Sequence, residues 1–164
     1  MKPPALPLPH HIAEEDEAAL SELFRRGTPD NTLRAWERDL VYIAAWKQAR
    51  FGRDLAWPEA ERVALRFVLD HSVDLTDHPG LAQDAALALI GAGLRKALAC
   101  PAPATLDRRI ASWRAFHRMR NLASPFAAPL VAAARVKARR AAARPRKPKS
   151  PRSESLCAGR VSAR

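Results

Sequence analysis

Cysteine is nearly absent from this 164-residue chain. Cys100 and Cys157 stand apart, with no CxxC and no Cys/His cluster. That excludes a disulfide framework and a Cys-based zinc site as read from sequence, and a reducing cytoplasm is the expected setting. Long apolar runs are absent too. No stretch reaches the roughly 18 apolar residues of a membrane span, and the start, with Pro3, Pro4, Pro7 and Pro9 after Met1-Lys2, lacks the apolar run of a secretory signal. Runs of β-branched residues alternating with polar ones are missing, which removes the strand signal. There is one tyrosine, Tyr42. No GxSxG, P-loop, GxGxxG or HExxH occurs, and no nucleophile–base pair or metal cluster can be assembled, so neither enzyme chemistry nor a cofactor is expected.

What is present is helical. The composition is 48% hydrophobic, enough for a packed core. Residues 1–13 are Pro-rich and read as an extended or mobile, flexible N-terminus. Residues 14–26 read as a short helix, with acids first and arginines last to suit its dipole, and with Leu20, Leu23 and Phe24 as its apolar stripe. A second helix is predicted from Pro29 to Arg50, capped by Thr28 or Asp30, with Leu33, Trp36, Leu40, Ile43 and Ala44 inward and Gly52 as its stop. A third starts at Pro58, carries Ala60, Val63, Ala64, Phe67 and Val68 inward, and fades near His71. Residues 81–99 read as a short helix, then a loop through "CPAP". A helix over 104–120 puts Leu106, Ile110, Trp113 and His117 on one stripe. "NLASP" breaks it, and a last helix over 125–143 grows basic and loses its apolar face. The expectation is an all-α fold of four or five short helices over 14–143, followed by a disordered basic tail over 144–164.

The charge is uneven. The net charge is +11. Residues 134–164 hold eleven basic side chains against Glu154 alone, and residues 1–133 hold 17 basic and 16 acidic ones. A basic block binds polyanions by counterion release or serves as a solvated tail, and charge alone leaves both open. The helix faces add detail. With Leu33 at the centre of its stripe, Arg34 and Arg38 fall about 100° and 140° away, and Tyr42 and Ala35 lie opposite. Tyr42 therefore reads as a surface or interface residue. On the helix over 104–120, Arg108, Ala115 and Met119 lie opposite Leu106, flanked by Ser112 and Arg118. Arginines beside small residues suit close approach to a phosphate backbone, or form an ordinary wet face. His117 and Arg120 form His-x-x-Arg, but His117 sits on an apolar stripe and reads as a partly buried core residue.

"NTLRAWERDLVYIAAW" resembles the opening of the core-binding domain of tyrosine recombinases, the phage integrases, through Asn31-Thr32, Arg34, Trp36, Asp39-Leu40 and Trp46. "WPEAERVALRFVLDH", "PATLDRRIASWRAFHRMRNLASP" and "PLVAAARVKARRAAAR" are similar to the family's next helices, in order, so the resemblance covers roughly residues 15–144. It implies a SAM-like bundle of crossed helical hairpins that clamps double-stranded DNA and meets other recombinase subunits. Carried over by position, the DNA-facing residues are Thr32, Arg34, Ala35, Arg38, Arg108, Arg109, Ser112 and Arg118. The family's catalytic domain, with its nucleophilic tyrosine, should follow, and the chain stops where it should begin. The expectation is a DNA-binding, non-catalytic part of a recombinase, with "PRKPKSPRSESLCAGRVSAR" read in a shifted frame. The competing expectation is a helical protein-interaction domain with a polycationic tail. No membrane or small-molecule ligand is expected, and the setting is cytoplasmic, on the nucleoid if DNA is bound.

Overall fold

A computed structural model of the chain describes residues 14–143. The Pro-rich start over 1–13 and the tail over 144–164 lie outside them. The described residues are all-helical. They form α1 (Glu14–Gly27), α2 (Asp30–Phe51), α3 (Glu61–Asp70), α4 (Leu81–Gly91), α5 (Pro103–Met119) and α6 (Pro129–Ala143), with a single 3-10 turn at Pro125–Ala127. The six helices match the six segments read as helical, against the four or five expected of the bundle. Among the described residues, no helix is long and apolar enough to cross a membrane.

Local chemistry sets the ends. Gly52 closes α2 in the left-handed region (φ 65°), its N–H on the Gln48 carbonyl at 2.8 Å, which is glycine's usual role after a helix. The start of α2 differs from expectation. Neither Thr28 nor Asp30 caps it; the Pro29 carbonyl takes the first N–H groups, from Thr32 and Leu33. α3 begins at Glu61 rather than Pro58, because Glu59 turns inward and is held there, and Ala60 stays exposed. The predicted last helix is broken in two. The Ser124 hydroxyl accepts the Phe126 N–H at 3.3 Å, and Pro129 starts α6 afresh.

α2 lies between α4 and α5, and α3 packs on α6 and the 3-10 turn. An aromatic chain ties these layers together edge to face. Trp46 meets Phe67 at 4.9 Å, Phe67 meets Trp113 at 5.4 Å, and Trp113 meets Phe126 at 5.3 Å. Ile43, Val68, Leu89, Ile110 and Val131 complete the core. α6 keeps an apolar face after all. Val131 is buried, Ala134 and Ala138 pack on the core, and Arg135 and Arg139 are held by Asp107 at 3.3 and 2.9 Å. α1 does not bury its stripe: Leu23 is 58% and Phe24 37% exposed.

Two expectations about faces are overturned. Tyr42 is buried, not on the surface, and the buried face of α2 is Asp39, Tyr42, Ile43, Trp46 and Lys47. Leu33 and Leu40 are only half-buried. The stripe was centred about 110° away from the true face, because two of its inward residues are charged. On α5, Ser112 and Ala115 are buried rather than outward. They are small, and α2 packs directly over them.

Candidate nucleic-acid interface

α2 and α5 run antiparallel along a seam. Trp36 meets Phe116, with ring centroids 6.1 Å apart, then Asp39 meets Ser112, then Tyr42 meets Arg109. At the Trp36 end the seam opens into a shallow groove of about 460 Å³, lined by Asn31, Thr32, Ala35 and Trp36 from α2 and by Arg108, Ala111, Ser112, Ala115 and Arg118 from α5. The α5 residues recur at i, i+3, i+4, i+7 and i+10, one face of a helix. No acidic side chain lines the groove.

Five of the eight predicted residues therefore meet in one place: Thr32, Ala35, Arg108, Ser112 and Arg118. Arg34 and Arg38 are exposed on the adjoining face of α2, where Asp30 and Glu37 set opposing charges beside them. Arg38 leans back on its own helix, Nε to the Arg34 carbonyl at 3.4 Å. Arg109 is not in the groove. Its guanidinium lies over the Tyr42 ring, 3.3 Å from the centroid, further along the seam.

The pivot of the groove is Asp39. Its carboxylate is buried, and it holds Arg108 Nη1 at 2.6 Å through Oδ1 and accepts the Ser112 hydroxyl at 2.7 Å through Oδ2. Ser112 is thus a buried support rather than a free donor. Arg108 is anchored at one nitrogen, and its side chain is 46% exposed, so the guanidinium keeps further donors for a ligand. Charge-assisted bonds of this kind fix a guanidinium's direction. Sequence reasoning placed Asp39 only as a family motif residue; its partner, 73 positions away at Ser112, is set by packing. Arg114, Asn121 and Ser124 were also missed. With Arg118 they line a second shallow depression, of about 370 Å³, at the far end of α5.

Compared with protein-family models, curated proteins and solved structures, the chain finds no match. The groove's chemistry has to be read from its own residues. Among the described residues, no group of three or more His, Cys, Asp or Glu side chains is placed to hold a metal ion. His117 of the His-x-x-Arg pair is fully buried. Nδ1 donates to the Trp113 carbonyl at 2.9 Å, and Nε2 accepts the Glu59 N–H at 3.2 Å. Both ring nitrogens are occupied, Nδ1 within α5 and Nε2 in joining α5 to the α3 entry, and burial pulls the imidazole below its ordinary range. Arg120 stacks on Trp57 at 3.4 Å from the ring centroid, and burial pushes it down to about 10.

Asp39→Asn should lower unfolding stability by about 1–3 kcal/mol, since the ion pair is lost and the amide reproduces only part of the geometry. Urea denaturation measures this. An unchanged midpoint would show that Asp39 is not what orients Arg108 and Ser112.

Proposed function

We propose that the α2–α5 groove binds the phosphate backbone of double-stranded DNA, in the manner of the tyrosine-recombinase core-binding domain that the sequence resembles. The observation that supports this reading is convergence. Residues 32 and 35 on one helix and 108, 112 and 118 on another meet in a groove with arginines at its rim, small side chains at its floor and no acid in its lining. Phosphate contacts from such a surface position a duplex without reading its sequence. Arg118 and Arg108 carry most of the contact. Thr32 offers a hydroxyl to a phosphate oxygen. Arg34 and Arg38, diluted by Asp30 and Glu37, add less.

The test is a fluorescence-anisotropy titration of a labelled duplex at several salt concentrations. Affinity should fall linearly on a log–log plot against salt. Arg118→Ala should weaken binding on all sequences and reduce the slope by about one. Arg34→Ala should weaken it less. Deleting residues 144–164 should lower affinity without removing the dependence on Arg118. Should that deletion abolish binding while Arg108→Ala and Arg118→Ala change nothing, the groove is not the interface. Asp39→Asn sharpens the outcome. It adds one positive charge, which alone would tighten binding to a polyanion, so weaker binding would report lost positioning of Arg108.

A further inference from the structure

Beyond Tyr42 the α2–α5 seam ends in a second concavity, separate from the groove. It measures about 370 Å³ and is walled by Tyr42 on α2, Arg95 and Lys96 after α4, and Thr105 and Arg109 on α5. Three cations line it and no acid does. Arg95 is fixed by the chain around it. Its Nε donates to the Ala97 carbonyl at 2.7 Å, and its Nη2 to the Leu98 and Ala99 carbonyls at 3.3 and 3.1 Å. Nη1 holds its remaining donors. Arg109 is half-buried, flat on the Tyr42 ring, and its Nε is buried with no hydrogen-bond partner. Asp39, whose charge acts on Arg109, is already engaged by Arg108 and Ser112. Burial pulls Arg109 below its ordinary range, Tyr42 and Asp39 oppose this, and Arg108 and Arg95 add to it.

A partly desolvated guanidinium beside two further cations, with its one acting carboxylate shared with Arg108, is costly to fold. We infer that this pocket seats a phosphate group, held by Arg109 and Lys96 with Arg95 and the Thr105 hydroxyl. The guanidinium fork matches a tetrahedral oxyanion with several acceptors, and the space exceeds what a halide fills. The Tyr42 hydroxyl takes no part, since it is bonded to His71 Nε2 at 2.8 Å. The seat rests on this pocket and not on the groove reading. The phosphate belongs either to a duplex backbone or to a free phosphate, and the experiment separates them.

The melting temperature of the full chain is measured in inorganic phosphate and in chloride at equal ionic strength, for the wild type, Lys96→Glu and Arg109→Gln. Lys96 is exposed, so its substitution leaves folding intact. Phosphate should raise the wild-type midpoint above that in chloride, and both variants should lose most of the rise. Equal midpoints in the two salts, or an undiminished rise in Lys96→Glu, would overturn the inference. A labelled duplex is then titrated with and without phosphate, with Arg118→Ala as the groove control. Competition by phosphate, together with weaker duplex binding by Lys96→Glu, assigns the seat to a backbone phosphate. Stabilisation without competition assigns it to a free phosphate. If the duplex does not bind at all while the stabilisation persists, the groove reading falls and the pocket stands.

Discussion

Lys47→Met is expected to cost about 3–5 kcal/mol of folding stability, because it strands a buried carboxylate. Lys47 Nζ lies 2.5 Å from Glu59 Oε2, and the two side chains are 6% and 2% exposed. Glu59 also accepts the Ala56 N–H at 3.1 Å and its neighbour Ala60's N–H at 3.0 Å, while its own N–H reaches His117. One residue therefore joins α2, the entry to α3 and α5. Removing the ammonium leaves the anion with backbone dipoles alone in a dry site. Removing both charges together should hurt less than the sum of the single changes, because neither partner is then left exposed to a missing counter-charge. A double-mutant cycle by urea denaturation over Lys47→Met and Glu59→Gln reads this directly. Additivity within about 0.5 kcal/mol would mean that the pair is not coupled.

The same pair explains why part of the fold was hidden in the sequence. Hydropathy assumes that charges face water. α2 buries Asp39 and Lys47 with partners 73 and 12 positions away, so the apolar pattern pointed to Leu33 and misplaced Tyr42. On α5 the small side chains Ser112 and Ala115 read as an outer face, and they are buried at the floor of the groove where α5 packs on α2. On α6 the alanines carry too little hydrophobicity to register, and Arg135 and Arg139 look solvated although Asp107 holds both. The breaks were legible, because Gly52, "CPAP" and "NLASP" act through local backbone chemistry. Partners were not, because they depend on which helices meet.

The candidate groove follows the same division. Arg34, Arg38 and Arg118 were placed outside by periodicity, and they are exposed. Only packing could show that Arg118 shares a groove with Thr32 and Ala35, or that Arg109 turns away to Tyr42 and a separate cluster with Arg95 and Lys96. α5 carries Arg108 and Arg118 to the groove and Arg109 to the second cluster. Among the described residues, Asp39 is the acid paired with Arg108, and it is buried. The exposed side of the seam is therefore more cationic than the near-neutral charge of residues 1–133 suggests.

Acidification should destabilise the chain steeply well above the range where surface carboxylates titrate. His71 is fully buried, and burial lowers it to about 3, with the Phe67 carbonyl opposing and Arg95 and Arg109 adding to the fall. Its Nδ1 donates to the Phe67 carbonyl at 2.7 Å, and its Nε2 accepts the Tyr42 hydroxyl, so the neutral ring has no place for a second proton. Below an unfolded value near 6.5, the unfolded chain takes up a proton that the native state refuses. Stability is complete above that pH and falls toward pH 3 by up to about 1.4 kcal/mol per unit from this residue. His117, also pulled down by burial, adds in the same direction. Asp70 opposes them. Burial raises its carboxyl against the pull of Arg50 and Trp46, so the native state binds a proton there more readily than the unfolded chain does. The His71 window, from about 6.5 down to about 3, sets the expected direction, and His117 acts with it. Urea midpoints from pH 7 to pH 3.5 should therefore drop sharply for the wild type. His71→Gln keeps an acceptor for Tyr42 and cannot titrate, so it should start lower at pH 7 and fall more gently. Parallel curves for the two proteins would show that His71 is not the group that drives the loss.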